Sequence, residues 1–115
     1  IFVLTSFYEG MPNVILEAMS RGAVIVSSNC NTGPKELLSP SEAIKSDQYF
    51  YEFGCILPVP SDTKKDLIIW SSLLSIVISQ KKIREKYTLQ SLKRYEHYKP
   101  EKIVPLWENE IYNYF

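Results

Sequence analysis

Hydrophobic positions along the chain fall into short runs at its start and helical stripes toward its end. Residues 1–5 and 23–27 are brief aliphatic runs of the kind that form buried strands. Between them Val14, Ile15, Ala18, Met19 and Gly22 share one face of a helix. The pattern predicts a strand, helix, strand unit, with Glu9-Gly10 as the turn into the helix. Pro12 reads as the first helical residue, where its missing N–H costs nothing. Such a crossover makes the two strands parallel and adjacent, with both carboxyl ends on one edge of the sheet. Open parallel sheets bind their ligands at that edge.

A second junction follows the second strand. Residues 28–34 are a cluster of turn formers, and residues 35–38 read as a short helix that stops before Pro40. Residues 39–54 are polar and aromatic with weak periodicity, which predicts a surface loop with a helical turn near residues 42–45. Residues 54–60 fit a short edge strand, where Pro58 and Pro60 are tolerated. Beyond Asp62, read as an N-cap, Leu67, Ile68, Leu73, Leu74, Ile76 and Val77 predict one helix. Ile83, Tyr87, Leu89, Leu92 and Tyr95 predict a second, and Ile103, Leu106, Trp107, Ile111 and Tyr112 a third. The fold class is therefore α/β, a partial Rossmann-like parallel sheet followed by C-terminal helices. Residues 1–60 carry the strand and helix units, and residues 61–115 the helices.

With 115 residues, 45% of them hydrophobic, the chain has material for one core. It opens inside a strand without an initiating Met, so it reads as a C-terminal piece of a longer protein. Thirteen basic and thirteen acidic residues cancel, which removes the global electrostatic case for nucleic acid. Cys30 and Cys55 have neither metal-site spacing nor the density of a disulfide framework, so a reducing, cytoplasmic setting and inert thiols are expected. No apolar segment reaches the roughly 20 residues of a spanning helix. Lys81, Lys82, Arg84, Lys86, Lys93 and Arg94 read first as a solvated helix face and second as a contact for anionic lipid heads. His97, with no nucleophile or second His nearby, reads as a surface residue, and Trp70 and Trp107 as packing residues.

The densest chemistry lies in residues 6–19, where Glu9 and Glu17 stand with seven residues between them across the strand-to-helix junction. A helix N-terminus with unpaired amides carries about half a positive charge and favours a phosphate. Asn13 and Val14 supply those amides. Glu9 at the strand end can accept hydrogen bonds from ligand hydroxyls, and Gly10 allows close backbone approach. Glu17 lies roughly 7 Å along the helix axis. One extended ligand with hydroxyls at both ends and a diphosphate between them would meet all three, which is the layout of a nucleoside diphosphate sugar. Each acid has a plainer reading alone: Glu17 as the partner of Arg21 in an i,i+4 pair, and Glu9 as a solvated turn acid.

The residues Tyr8-Glu9-Gly10-Met11-Pro12, Leu16-Glu17-Ala18-Met19, Gly22 to Ser27 and Gly33-Pro34-Lys35-Glu36 closely resemble the C-terminal domain of retaining glycosyltransferases of family 4, a GT-B group. The resemblance makes Glu9 and Glu17 the two acids of the E-x7-E motif. It implies that Glu9, the acid given the catalytic role, holds donor-sugar hydroxyls together with the loop Gly10, Met11 and Pro12. It further implies that the Asn13 and Val14 amides contact the diphosphate and that Glu17 holds the ribose. The implied reaction moves a sugar from a nucleotide-diphosphate sugar to an acceptor hydroxyl with retention, and needs no metal or other cofactor. Many members have a second glycine where this chain has Pro12, and the Met-Pro-Asn variant is associated with surface-polysaccharide assembly; the function expected is polysaccharide or glycolipid assembly. The implied partners are the nucleotide sugar, a sugar or lipid-linked acceptor, and an upstream N-terminal domain carrying the basic pair that grips the diphosphate. The implied location is cytoplasmic, peripheral at the inner face of the membrane, and the isolated piece is expected to be inactive. A sugar-nucleotide epimerase of the same fold and a non-catalytic nucleotide-binding or interaction module are the alternatives.

Overall fold

A computed structural model of the chain describes residues 1–41 and 48–115. Its strands are β1 (Phe2–Leu4), β2 (Tyr8–Glu9), β3 (Ile25–Ser28), β4 (Asn31–Thr32) and β5 (Cys55–Leu57). Its helices are α1 (Asn13–Ser20), α2 (Gly33–Leu38), α3 (Lys64–Ser79), α4 (Lys81–Tyr95) and α5 (Pro100–Tyr114), with a single 3-10 turn at Glu96–Tyr98. β1, β3 and β5 form one parallel sheet in that order, with Val3 opposite Val26 and Val26 opposite Cys55. The expected α/β architecture is present, and β5 is an edge strand as its flanking prolines require.

Both faces of this sheet are covered, as a parallel sheet demands. The two-residue alternation of β3 and β5 divides their side chains between two cores. Val24, Val26, Cys55 and Leu57 meet Trp70, Leu73 and Val77 of α3 and Tyr87 of α4 on one face. Ile25 and Ile56 meet Ile15 and Met19 of α1, Leu37 and Leu38 of α2, and Phe53 on the other. Polar tips buried with these side chains find backbone partners. The Trp70 indole donates to the Pro58 carbonyl at 3.1 Å, the Tyr87 hydroxyl to Tyr51 at 2.8 Å and the Ser91 hydroxyl to Ala23 at 2.7 Å. Gly22 ends α1 with φ +70, the left-handed conformation that favours glycine, and its amide donates to the Met19 carbonyl at 2.9 Å.

Several local expectations are corrected. Pro12 is extended, with φ −77 and ψ 94, and occupies the cap before α1, so Asn13 is the first helical residue. α2 begins at Gly33, taking in the Gly-Pro pair read as turn, because proline fits a helix's first turn. Thr63, not Asp62, caps α3, accepting the Asp66 amide at 3.3 Å. The Ser61 hydroxyl in turn donates to the Asp66 carboxylate, which holds that carboxyl below its ordinary range. Leu67 and Ile68 are exposed, and Trp70 takes the core position instead. The helical turn expected near residues 42–45 lies outside the described residues. The aromatic part of that predicted surface loop wraps inward: Phe53 is buried, Tyr49 and Phe50 contact one core and Tyr51 the other. Aromatic rings bury too much apolar area to remain in solvent when a core lies within reach. α5 contributes no buried residue, and Trp107 is 66% exposed.

Arg94 departs furthest from its reading as part of a solvated basic face. Its guanidinium donates to the Leu37 carbonyl at 3.0 Å and the Glu36 carbonyl at 2.9 Å, and to the Tyr98 hydroxyl at 2.9 Å. It also lies over the Phe53 and Tyr98 rings, 5.2 and 5.1 Å from their centroids. A positive fork on the carbonyls of α2 complements that helix's negative end. Arg94→Ala should lower stability by about 2–3 kcal/mol, the scale of charge-assisted hydrogen bonds. Arg94→Lys should recover only part of this, since an ammonium cannot reproduce the planar fork. Denaturant unfolding of the three proteins makes the comparison.

Candidate functional site

The two strand-to-helix junctions are joined to each other. β2 and β4, each only two residues long, pair in parallel so that Tyr8 stands opposite Asn31 and Glu9 opposite Thr32. Gly33, directly after β4, sits against the loop that follows β2. A Cβ at Gly33 would fall 2.0 Å from the Gly10 carbonyl oxygen and 2.4 Å from Pro12 Cδ. At Gly10 the same construction meets no atom within 4 Å. Gly33 is therefore demanded by the protein itself, while the space over Gly10 is open to a ligand.

Glu9 is half-buried and anchored. The Ser6 hydroxyl donates to Glu9 Oε1 at 2.6 Å, and the buried Ser28 hydroxyl donates to the Ser6 carbonyl at 2.6 Å. The end of β3 thus holds the loop that orients the Glu9 carboxylate. Glu9 is not the freely solvated turn acid of the plainer reading. Ser6 and Ser28 were not singled out in the sequence, where serines flanking strands carry no distinguishing signal.

At the start of α1 the Ile15 amide donates to the Pro12 carbonyl at 2.9 Å. The Asn13 and Val14 amides precede this first closure, and Asn13 is exposed. Val14 is 43% exposed, in contrast to its predicted place on the buried face, so the buried Ile15 and Met19 anchor α1 in the core, with half-buried Leu16 and Ala18 packed against it. Tyr8, Met11 and Val14 present exposed apolar surface around the junction. Glu17 is exposed on the same helix face as Asn13. Among the described residues no ion pair joins it to Arg21, and its side-chain carboxylate has no hydrogen-bond partner. The structural pairing that would have explained Glu17 is absent from the fold.

Glu9, Gly10, Met11, Pro12, Asn13, Val14 and Glu17 thus run through one loop and the opening turns of one helix at the carboxyl edge of the sheet. Among the described residues no group of His, Cys, Asp and Glu side chains could hold a metal ion, and no helix is long and apolar enough to cross a membrane. His97 is exposed. Cys30 and Cys55 are buried free thiols, and burial pushes the Cys55 thiol up to about 12, partly countered by Lys86. A thiol so held is protonated at neutral pH and unreactive.

A parallel sheet with paired junction loops at its carboxyl edge defines part of a Rossmann-like α/β unit. Residues 1–53, which contain both junctions, match the family Glycosyl transferases group 1. The chain is 31% identical over 121 residues to an uncharacterized glycosyltransferase of Methanocaldococcus jannaschii, covering 93% of this chain and 30% of that protein. It is 26% identical over 113 residues to the amylovoran biosynthesis glycosyltransferase AmsD of Erwinia amylovora, covering 98% of this chain and 27% of that one. A 38-residue stretch is 47% identical to the lipopolysaccharide 1,6-galactosyltransferase of Salmonella typhimurium, covering 33% of this chain and 11% of that enzyme. The chain thus spans less than a third of the length of each of these relatives.

Proposed function

We propose that this chain is the nucleotide-sugar-binding part of a retaining GT-B glycosyltransferase of family 4. The observation that carries the reading is the set of groups on one loop and helix start: the Glu9 carboxylate oriented by Ser6, the Asn13 and Val14 amides, and the unpartnered Glu17. Glu9 and the Gly10 to Pro12 loop take hydroxyls of the donor sugar. The amides and the helix dipole take the diphosphate, whose negative charge grows as it leaves. Glu17 accepts hydrogen bonds from the ribose hydroxyls. The sugar passes to an acceptor hydroxyl with its anomeric configuration kept, and the diphosphate is neutralised by amides and basic side chains with no metal ion. The names of the amylovoran biosynthesis and lipopolysaccharide relatives support assembly of a polysaccharide or glycolipid, with a sugar or lipid-linked acceptor. That work belongs on the cytoplasmic side of a membrane, which the protein touches peripherally. The complete protein contains an additional acceptor-binding domain, and the present chain alone does not turn over.

A panel of nucleoside diphosphate sugars tested against the complete protein, with the anomeric configuration of the product read by NMR, tests this reading. Inversion at the anomeric carbon would reject the retaining mechanism. Interconversion of the nucleotide sugar without transfer would establish the epimerase reading instead. Glu17→Ala should raise the nucleotide dissociation constant about tenfold, corresponding to roughly 1.4 kcal/mol. Calorimetric titration of the released nucleoside diphosphate measures it, and unchanged affinity would remove Glu17 from the site.

A further inference from the structure

We propose that Ser28 is a positioning residue for sugar transfer, acting through Ser6 on the Glu9 carboxylate, an inference that rests on the donor reading of Glu9. The short strands β2 and β4 resume the pairing that β1 and β3 begin. Leu4 stands opposite Ser27 and Tyr8 opposite Asn31, so both chains advance equally and the register carries through unchanged. Between these pairs the ladder is interrupted, and among the described residues no backbone hydrogen bond joins residues 5–7 to residues 28–30.

A side chain takes the place of the missing rung. The Ser28 hydroxyl donates to the Ser6 carbonyl at 2.6 Å, across the gap. Ser28 is a fixed point from which to do so. It is fully buried on the central strand and stands opposite Leu57 of β5, and the Asn29 amide that follows donates to the Leu57 carbonyl at 2.7 Å. Ser6 is half-buried between the exposed Thr5 and Phe7. Its carbonyl accepts from Ser28 while its hydroxyl donates to Glu9 Oε1 at 2.6 Å. Ser6 therefore carries the geometry of the core sheet to the carboxylate.

Fully buried, Ser28 is out of a ligand's reach, and its effect on transfer passes through Glu9. Groups at a reacting centre must be held within about 0.5 Å of the productive geometry, and misplacement by about 1 Å can cost a hundredfold in rate. The pairing of Glu9 with Thr32 holds the same segment from its other end. Losing the Ser28 hydroxyl should thus tilt the carboxylate without releasing the loop, a loss smaller than that limit. Ser6→Ala acts differently, because it removes the last link to Glu9 and keeps the carbonyl that Ser28 grips.

The test uses the complete protein and follows nucleoside diphosphate release from UDP-glucose, UDP-galactose and GDP-mannose. With whichever donor the wild-type protein turns over, Ser28→Ala should lower kcat about tenfold, the scale of one lost hydrogen bond on the path to a charged group. Affinity for UDP or GDP, read by calorimetric titration, should change less than about twofold. In the Glu9→Gln and Ser6→Ala backgrounds Ser28→Ala should cost less than about twofold further, because residues acting through one chain of contacts are not additive. Ser28→Cys, close in volume and a weak donor, should show the same ordering and serves where the alanine variant does not fold. An unchanged kcat overturns the inference. So does an equal tenfold loss in the wild-type and Glu9→Gln backgrounds, which makes Ser28 a support of the fold alone, and so does a fall of UDP or GDP affinity in step with kcat. Failure of the donor reading has a separate signature: the wild-type protein turns over none of the three donors, and the inference falls with it.

Discussion

Gly33→Ala should destabilise the protein by about 3 kcal/mol or more, the upper range for forcing atoms into a filled space. The added methyl carbon would fall 2.0 Å from the Gly10 carbonyl oxygen and 2.4 Å from Pro12 Cδ. Neither neighbour is the mobile end of a side chain. Gly10 is backbone and Pro12 is a ring tied into the cap of α1, so relief requires the β2 and β4 junctions to separate. That movement would break the pairing of Glu9 with Thr32 and displace the loop that orients the Glu9 carboxylate. Donor binding should therefore fall together with the melting temperature of this part of the protein. Gly10→Ala is the matched control, since its methyl meets no protein atom within 4 Å. It should leave the thermal midpoint within about 2 °C, a shift equivalent to roughly half a kcal/mol for a domain of this size. Its effect should appear only in donor affinity. Thermal unfolding and nucleotide-sugar titration of both variants separate a glycine the fold needs from one the ligand needs. A stable Gly33→Ala protein with normal donor affinity would show that the two junctions are not rigidly coupled.

The sheet was legible in the sequence because residues 1–4 and 23–26 are unbroken apolar runs, and the helix between them carries a clear 3.6-residue stripe. The three C-terminal helices were legible for the same reason. Less so were features that depend on which segments meet in space. β2 and β4 are two residues each, too short for any alternation to register, and their pairing joins residues more than 20 positions apart. Arg94 gave only a positive charge within a positive run, and its partners on α2 lie 57 and 58 positions away. Tyr49, Phe50, Tyr51 and Phe53 lacked periodicity because they wrap between two cores instead of lying along one. The candidate site divides in the same way. Glu9, Asn13, Val14 and Glu17 were visible as chemistry on one short segment. The Ser28 to Ser6 to Glu9 chain and the exclusion of a side chain at Gly33 were not, because both arise from contact between the two junctions.

Glu9→Gln should reduce sugar transfer by the complete protein about 10²- to 10³-fold, the range associated with losing one well-placed electrostatic contact at a reacting centre. The substitution keeps the shape and one acceptor oxygen, so Ser6 can still donate to the side chain and the loop should hold its place. What it removes is the negative charge and the second strong acceptor that Glu9 would offer the donor sugar in the proposed complex. The loss should fall on kcat, with nucleoside diphosphate affinity changed less than about twofold, if the nucleotide contacts reside, as proposed, in the Asn13 and Val14 amides and Glu17. That split distinguishes Glu9 from Glu17, whose loss falls on nucleotide binding. Ser6→Ala sharpens the assignment. It leaves the carboxylate intact and removes the 2.6 Å hydrogen bond that orients it. Transfer should drop about tenfold, in keeping with roughly 1.4 kcal/mol for one hydrogen bond to a charged group. Steady-state kinetics with saturating acceptor and varied donor resolves the two effects. Equal transfer by Glu9→Gln and wild type would assign Glu9 to the support of the β2–β4 junction and place the sugar contact elsewhere on the loop.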